Sequence, residues 1–419
     1  MHASNDEFIE INVEYTRHCI KTVKKEIPTN ITSINNVEPC YYYSYITKLL
    51  HVPIYITQEY DVSINKNNYT TQKTSLISCG LDYKMLFFDV FKKNNKLFMI
   101  IPVYNHNISF IDKIKIENNG IELELKDTFT KIKQEPIIIL IYHFISNNNT
   151  ITIKYNDNVV KHCQLEDVKT TTTYNLTLTT LFKDDYYLFD AFYNYYTKQG
   201  VEHFYMYYNG KINNKIRNIF NKSNVTLIEW DFVYWNDNTC SFKHHAQIGQ
   251  MHHAIYKYGK GTSKYMIFCD LDEYMSSASN KIIDLISSNH HTYRFSNVFS
   301  EISYKNKNSN QKQILHSQPY PFSDRSKCIH KLDAIKTINI HCIDKYMVAS
   351  PKIQNSINNY MYHFYKIGSK SRKVMPQPWH SSVKNTLPWK CNIKYVIHTK
   401  NLLYDLIDDL IKVNSYNNK

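Results

Sequence analysis

The chain has 419 residues, 43% of them hydrophobic, which favours two domains or one large domain with an extension and excludes wholesale disorder. Only 8 residues are glycine, where ~7% is usual, and neither GxGxxG nor GxxxxGK[ST] occurs, so a glycine-loop phosphate binder is excluded. The net charge of +13 is spread along the chain without arginine-rich blocks, and the codon bias that enriches Tyr, Ile, Lys and Asn accounts for it without nucleic acid. Residues 1–44 read as a polar N-terminal extension, with weak helical periodicity around Val13–Val23. Residues 45–170 are period-two and read as a β-rich, sandwich-like accessory domain. Its hairpins are Phe87–Phe91 with Leu97–Val103, Ile114–Glu117 with Ile121–Leu125 across Asn118-Asn119-Gly120, and Ile151–Tyr155 with Val159–Cys163. From residue 171 the style changes to strand–helix alternation. Strand 175–181 is followed by helix 185–197 with its stop at Gly200, strand 203–208, helix 211–220, strand 225–230, helix 244–258 closed by Gly259, and strand 265–269. That alternation predicts an α/β domain with a parallel sheet over residues 171–413, followed by a frayed tail at 414–419. Such sheets bind ligands at the carboxyl ends of their strands.

The segment that carries chemistry is Tyr265-Met-Ile-Phe-Cys-Asp270-Leu271-Asp272-Glu273-Tyr274, an apolar strand running into Asp-x-Asp-Glu. On extended backbone, carboxylates at i and i+2 point to one side. Two hard oxygen ligands there suit Mg²⁺ or Mn²⁺, with diphosphate oxygens and water completing the shell. Such an ion neutralises charge on a leaving diphosphate. The same Asp pair would serve a nucleotidyltransferase, which needs a glycine-rich or basic triphosphate loop that is not found. A carbohydrate- or nucleic-acid-binding protein with a decayed catalytic site is the alternative from another class.

The stretch from about 176 to 345 resembles glycosyltransferase family 92 and the related family 2-like enzymes of GT-A fold. The likeness rests on Leu176–Phe182 with Lys183-Asp184-Asp185, on Gly200-Val-Glu-His-Phe-Tyr-Met-Tyr-Tyr208-Asn209, and on Ala246-Gln247. It continues through Lys264–Tyr274 and through Ser326–Ile335 to His341; His363 with Ser369 is similar to a later element. The resemblance implies a GT-A domain that moves a sugar from a nucleotide donor, often UDP-linked, with inversion and with Mn²⁺ or Mg²⁺. Carried over residue by residue, Asp270 meets the donor ribose or the metal and Asp272 is the main metal ligand. His341, or else His363, is the histidine contributed to the metal from the C-terminal side. Lys183 and Asn209 lie near the nucleotide, and Gln247 matches the family glutamine. Asp185 stands where the family has Glu, Asn209-Gly210-Lys211 lacks the family serine, and His330-Lys331-Leu332 replaces Arg-Pro.

An inverting transfer needs a base for the acceptor hydroxyl, and Glu301 and Asp324 are the candidates C-terminal to the Asp pair. His245 and His252 lie two helical turns apart, about 10.5 Å of rise, too far to share one ion. Trp379-His380 and Trp389, in a proline-bearing segment, could wall an acceptor or pack in the core. The nine cysteines include no CxxC, which argues for reduced thiols in a cytosol-like compartment over a disulfide scaffold or zinc cluster. Residues 1–10 lack a signal-peptide core, and the longest apolar run, Pro136–Ile145, is far short of the ~20 residues a span needs. The expectation is therefore a cytoplasmic chain without a membrane span, in the host cytoplasm or the virion if the AT-rich source is a virus. Its expected partners are a nucleotide-sugar donor and a glycan or glycoconjugate acceptor, with no nucleic acid.

Overall fold

The computed structural model describes residues 37–41, 53–57, 87–102, 109–131, 137–146, 148–168, 173–232, 234–236, 244–277, 281–286, 289–303, 314–317 and 322–364, with residues 367, 406, 409 and 410. The periodicity at 13–23, the Trp379–Trp389 segment, Ser369 and the tail lie outside them.

After an antiparallel pair, Val37–Tyr41 with Pro53–Thr57, two four-stranded antiparallel sheets form the N-terminal part. One orders Asp89–Lys93, Lys96–Pro102, Ile137–His143 and Leu125–Lys131; the other orders Asn158–Gln164, Thr150–Tyr155, Ile114–Asn118 and Ile121–Glu122. The three expected hairpins are present, each closed by two residues at positive φ: Asn94 and Asn95, Asn119 and Gly120, Asn156 and Asp157. Asn, Asp and Gly are the residues that reach this region cheaply, and two such residues in a row match the right-handed twist of the strands. Ile137–Tyr142 is buried at every position. Successive strand side chains point to opposite faces, so this sheet is covered on both sides.

The main sheet follows. We label its strands β1 (Tyr174–Phe182), β2 (His203–Tyr208), β3 (Val225–Glu229), β4 (Ser263–Phe268), β5 (Glu273–Ser276), β6 (Thr292–Ser303), β7 (Phe322–Lys331) and β8 (Ile353–His363). Their spatial order is β3-β2-β1-β4-β7-β6-β8-β5. The first four run parallel, β7 is antiparallel to both β4 and β6, β6 runs parallel with β8, and β5 pairs antiparallel to β8. Helix α1 (Phe189–Lys198) ends at Gln199–Gly200, where Gly200 takes φ +96°. Helix α2 (Asn214–Ile219) starts later than its pattern suggests, because the Asn213 side chain accepts from the Ile216 amide and caps it. Helix α3 (Ala246–His253) continues as a π-helical turn, Ala254–Gly259. His244 and His245 precede it in a short bridge strand.

Alternation along the strands sorts the core. Phe204 and Met206 of β2, with Leu176 and Leu178 of β1, face α1 and α2. Tyr205, Tyr207, Leu181, Met266 and Phe268 face the other way and share one core with α3 and both N-terminal sheets. The Tyr-rich segment fits a buried face: Tyr195 and Tyr196 are buried and donate to the Met275 and Glu273 carbonyls at 2.7 and 2.8 Å. Among the described residues no helix is long and apolar enough to cross a membrane.

Candidate active site

In the order β3-β2-β1-β4 the chain reverses direction of growth between β1 and β4, and ligands bind outside the carboxyl ends of strands at such a switch point. A small crevice of about 10 Å³, room for about one water, opens there, walled by Thr179–Leu181 of β1, Gln247 and Gln250 of α3, Phe268 and Cys269 after β4, and Lys327 of β7. Thr180 Oγ1 in its wall is buried without a hydrogen-bond partner.

β4 delivers Asp270 to this edge, but the backbone that follows is a turn rather than extended strand. The Glu273 amide donates to the Asp270 carbonyl at 3.1 Å, and the Asp270 amide donates to Glu273 Oε2 at 2.8 Å. The turn therefore gives the two aspartates different surroundings. Asp270 keeps about 30% of its side chain exposed; Gln247 Nε2 donates to its Oδ1 at 3.1 Å and Lys327 Nζ to its Oδ2 at 3.2 Å. Asp272 is buried, with its Oδ2 3.3 Å from His363 Nε2, and its carbonyl accepts from the Phe364 amide. His363 comes to that position because β5 pairs with β8 in the register Glu273↔His363.

Lys327 and Glu273 join these parts. Lys327 Nζ lies 3.1 Å from Glu273 Oε2, and His363 Nδ1 lies 3.9 Å from Glu273 Oε1. Burial alone would lower the Lys327 pKa, yet Asp270 and Glu273 together hold the ammonium above its ordinary range. Burial raises the Glu273 pKa, Lys327 pulls it back, and Asp270 pushes it up again, with a net rise. Neither residue is named in the sequence as a site residue: Glu273 reads as the end of the Asp-x-Asp-Glu run, and Lys327 falls in the Ser326–Ile335 stretch that carries the resemblance without a role of its own. Tyr234 is also unforeseen, its hydroxyl donating to Gln247 Oε1 at 2.8 Å.

His341 sits behind Lys327. Its Nδ1 donates to the Ser326 carbonyl at 3.1 Å, which leaves the lone pair on Nε2. Burial, then the Lys327 charge, brings its pKa down to about 4. Lys183 is exposed at the end of β1. Asn209 is buried at the end of β2, where its side-chain amide donates to the Trp230 and Phe232 carbonyls at 2.9 and 2.7 Å and anchors the chain leaving β3. The structure thus gathers Asp270, Asp272, Gln247, His341 and His363 with Lys327 and Glu273, and leaves Lys183 and Asn209 at the neighbouring strand ends. Glu301 lies on β6 opposite His316, and Asp324 lies on β7; their side chains lie outside the description. His252 is spent on the fold, its ring bonded to the Ile248 carbonyl and the Ile338 amide.

Two carboxyl groups, Asp270 and Glu273, thus face the Lys327 ammonium, and a third, Asp272, faces His363. A carboxylate has about four lone-pair directions, and Asp270 has two of them taken. That donor set fits a hard divalent cation, although among the described residues no three His, Cys, Asp or Glu side chains converge tightly enough to hold one alone. Mg²⁺-type sites commonly use one or two carboxylates, with substrate phosphates and water completing the shell.

The profile of glycosyltransferase family 92 matches residues 177–403, more than half of the chain. No curated protein matches it. Among solved structures, the apo form of the WbbM bifunctional glycosyltransferase aligns at 10% identity with a TM-score of 0.20, covering 33% of this chain and 26% of that one. The chain therefore spans about a quarter of that structure's length.

Proposed function

The chain belongs to glycosyltransferase family 92, and from that premise we propose that it is a metal-dependent glycosyltransferase. It moves a sugar from a nucleotide donor, UDP-linked in this reading, to a hydroxyl of a glycan or other acceptor, with inversion at C1. The observation that carries the proposal is the place of Asp270: at the end of β4, on the switch point of a β3-β2-β1-β4 sheet, partly exposed and fixed by Gln247 and Lys327. We read residues 171–413 as a GT-A domain, a reading supported by the parallel strand order with α1 and α3 on opposite faces. Residues 45–170 are then the sandwich-like accessory part.

In this mechanism Asp270 and Asp272, with His363 or His341, hold Mn²⁺ or Mg²⁺, which when bound offsets charge on the leaving diphosphate. Gln247 orients Asp270 by donating to one oxygen and leaves its outer face to the ribose or the ion. Lys183, at the exposed end of β1, meets the diphosphate. Asn209 acts by holding the chain after β3 beside the nucleotide. The acceptor oxygen attacks C1 as the bond from C1 to the diphosphate oxygen breaks on the opposite side. Glu301 or Asp324 takes the acceptor proton.

The test is thermal unfolding of wild type and Asp272→Ala across a panel of nucleotide-sugars with and without Mn²⁺. A ligand at 100 times its Kd stabilises the folded state by about 2.7 kcal/mol. A shift with one sugar nucleotide that needs Mn²⁺ and is lost in the variant supports the reading. No shift with any donor in a folded wild type overturns it and favours a binding protein.

A further inference from the structure

Every residue of α3 is buried, yet the helix carries two glutamines and two histidines. Its glutamines serve the main sheet: Gln247 donates to Asp270 at 3.1 Å, and Gln250 donates to Thr179 Oγ1 of β1 at 2.7 Å. Its far end serves the strand Asp89–Lys93 of the N-terminal sheets. His253 Nε2 donates to Asp89 Oδ2 at 2.9 Å while its Nδ1 accepts from the Tyr207 hydroxyl of β2 at 2.8 Å. Lys257, on the π-helical turn, reaches the same Asp89 oxygen at 2.9 Å and Glu166 at 2.7 Å. Lys93 Nζ donates to the Lys257 carbonyl at 2.7 Å. Between these ends Gly249 lies flat against the Phe88 ring, where a Cβ would fall 2.6 Å from a ring carbon.

The grip is directional. Asp89 is 2% exposed, and His253 and Lys257 belong to one continuous helical stretch. If α3 slid or turned, a buried carboxylate would lose its partners, which is far costlier than losing an exposed pair. Gln247 lies six residues before His253, about 9 Å along the same rod. The helix that carries Gln247 is thus held at two ends: beside Gln247 by Trp230, Tyr234 and Thr179, and at the far end by a strand of the N-terminal sheets.

We propose that Asp89, which lies outside the family-matched residues 177–403, is a positioning residue of the candidate site: it fixes α3 in the register that lets Gln247 hold Asp270. The N-terminal sheets are in this view a support of the active site and not a detachable sugar-binding attachment. The binding readout below rests on the proposed donor site; the exchange readout does not.

The first test is hydrogen exchange of the full chain, wild type against Asp89→Asn, well below both unfolding midpoints. Backbone amides in peptides covering 246–253 and 265–276 should exchange about tenfold faster, with strand 137–143 unchanged. Faster exchange that stops at the helix, with 265–276 at the wild-type rate, overturns the proposal and leaves Asp89 a purely structural residue. Should Asp89→Asn fail to fold, His253→Gln loosens the same link and carries the same readout. The second test is a double-mutant cycle of Asp89→Asn and Gln247→Ala on UDP binding with Mn²⁺, by calorimetry. Each single change should weaken binding about tenfold, and the double variant should bind no more weakly than Gln247→Ala alone. Additive losses overturn the proposal. A wild type that binds no UDP removes the donor reading, and the exchange result then decides the role of Asp89.

Discussion

Replacing Lys327 by Met separates its electrostatic role from its packing, since the two side chains are similar in length. In the structure Lys327 and Glu273 are each 4% exposed and 3.1 Å apart, so the substitution strands a buried carboxylate. Removing one partner of such a pair costs about 3–5 kcal/mol. Asp270, the second partner, is 30% exposed and water compensates it, which puts the expected loss at the low end, about 3 kcal/mol. At ~2–4 °C per kcal/mol for a domain of 150–250 residues, the thermal midpoint should fall by about 6–12 °C. Glu273 has an escape, because it can take up a proton, and burial already raises its pKa. The penalty should therefore shrink from pH 7.5 to pH 5, and Lys327→Met/Glu273→Gln should recover at least half of it. The assay is thermal unfolding of the three proteins at both pH values. A single-variant loss below ~1 kcal/mol, the level of an exposed pair, or a double variant no better than the single, would show that Lys327 does not compensate a buried Glu273 carboxylate.

Gly249→Ala should cost about 1–3 kcal/mol through overpacking. Phe88, which the new Cβ meets at 2.6 Å, is itself wedged against Trp230 and Phe232 and cannot yield; a midpoint in urea equal to wild type would contradict this. Acid should destabilise the protein well above the carboxylate range. Burial holds the His252 pKa down at about 4, and burial with the Arg294 charge holds His330 at about 3. Their folded values lie below the unfolded one, so their stabilisation is complete above pH ~6.5 and is lost as pH falls towards 4, by about 1.4 kcal/mol per pH unit for each histidine. Glu273, with its raised pKa, works in the opposite sense but counts one proton against two. A urea midpoint that stays level or rises from pH 7 to pH 5 would count against the buried, neutral histidines.

What the sequence made legible was local. Asn-Gly and Asn-Asp pairs announce their hairpins because two consecutive residues at positive φ suit few other side chains. Apolar runs after the glycine stops at 200 and 259 announce β2 and β4, the change to strand–helix alternation at 171 announces β1, and the Asp pair announces the end of β4. What stayed hidden was non-local. Lys327 reaches Asp270 across 57 positions, and His253 and Lys257 reach Asp89 across 164 and 168. No periodicity encodes such pairings. The backbone at the Asp pair differs from the extended one that the apolar run before it suggests: Glu273, by capping the Asp270 amide, folds residues 270–273 into a turn, and that contact is set by the tertiary fold. Asn209 has an equally plain cause for its burial, since both carbonyls it serves belong to the loop after β3, which a one-dimensional reading does not place beside β2.

Everything proposed for this chain turns on sugar transfer from a nucleotide donor at Asp270 and Asp272. Its most direct test is the release of nucleoside diphosphate from a panel of nucleotide-sugars, with Mn²⁺ and mixed hydroxyl acceptors, by wild type and by Asp270→Asn. Release from one donor is expected, dependent on Mn²⁺ and reduced at least a hundredfold in the variant, on the scale of losing a charge-stabilising group from an active site. Release that is equal in Asp270→Asn and wild type, or absent from a folded wild type with every donor, would contradict it.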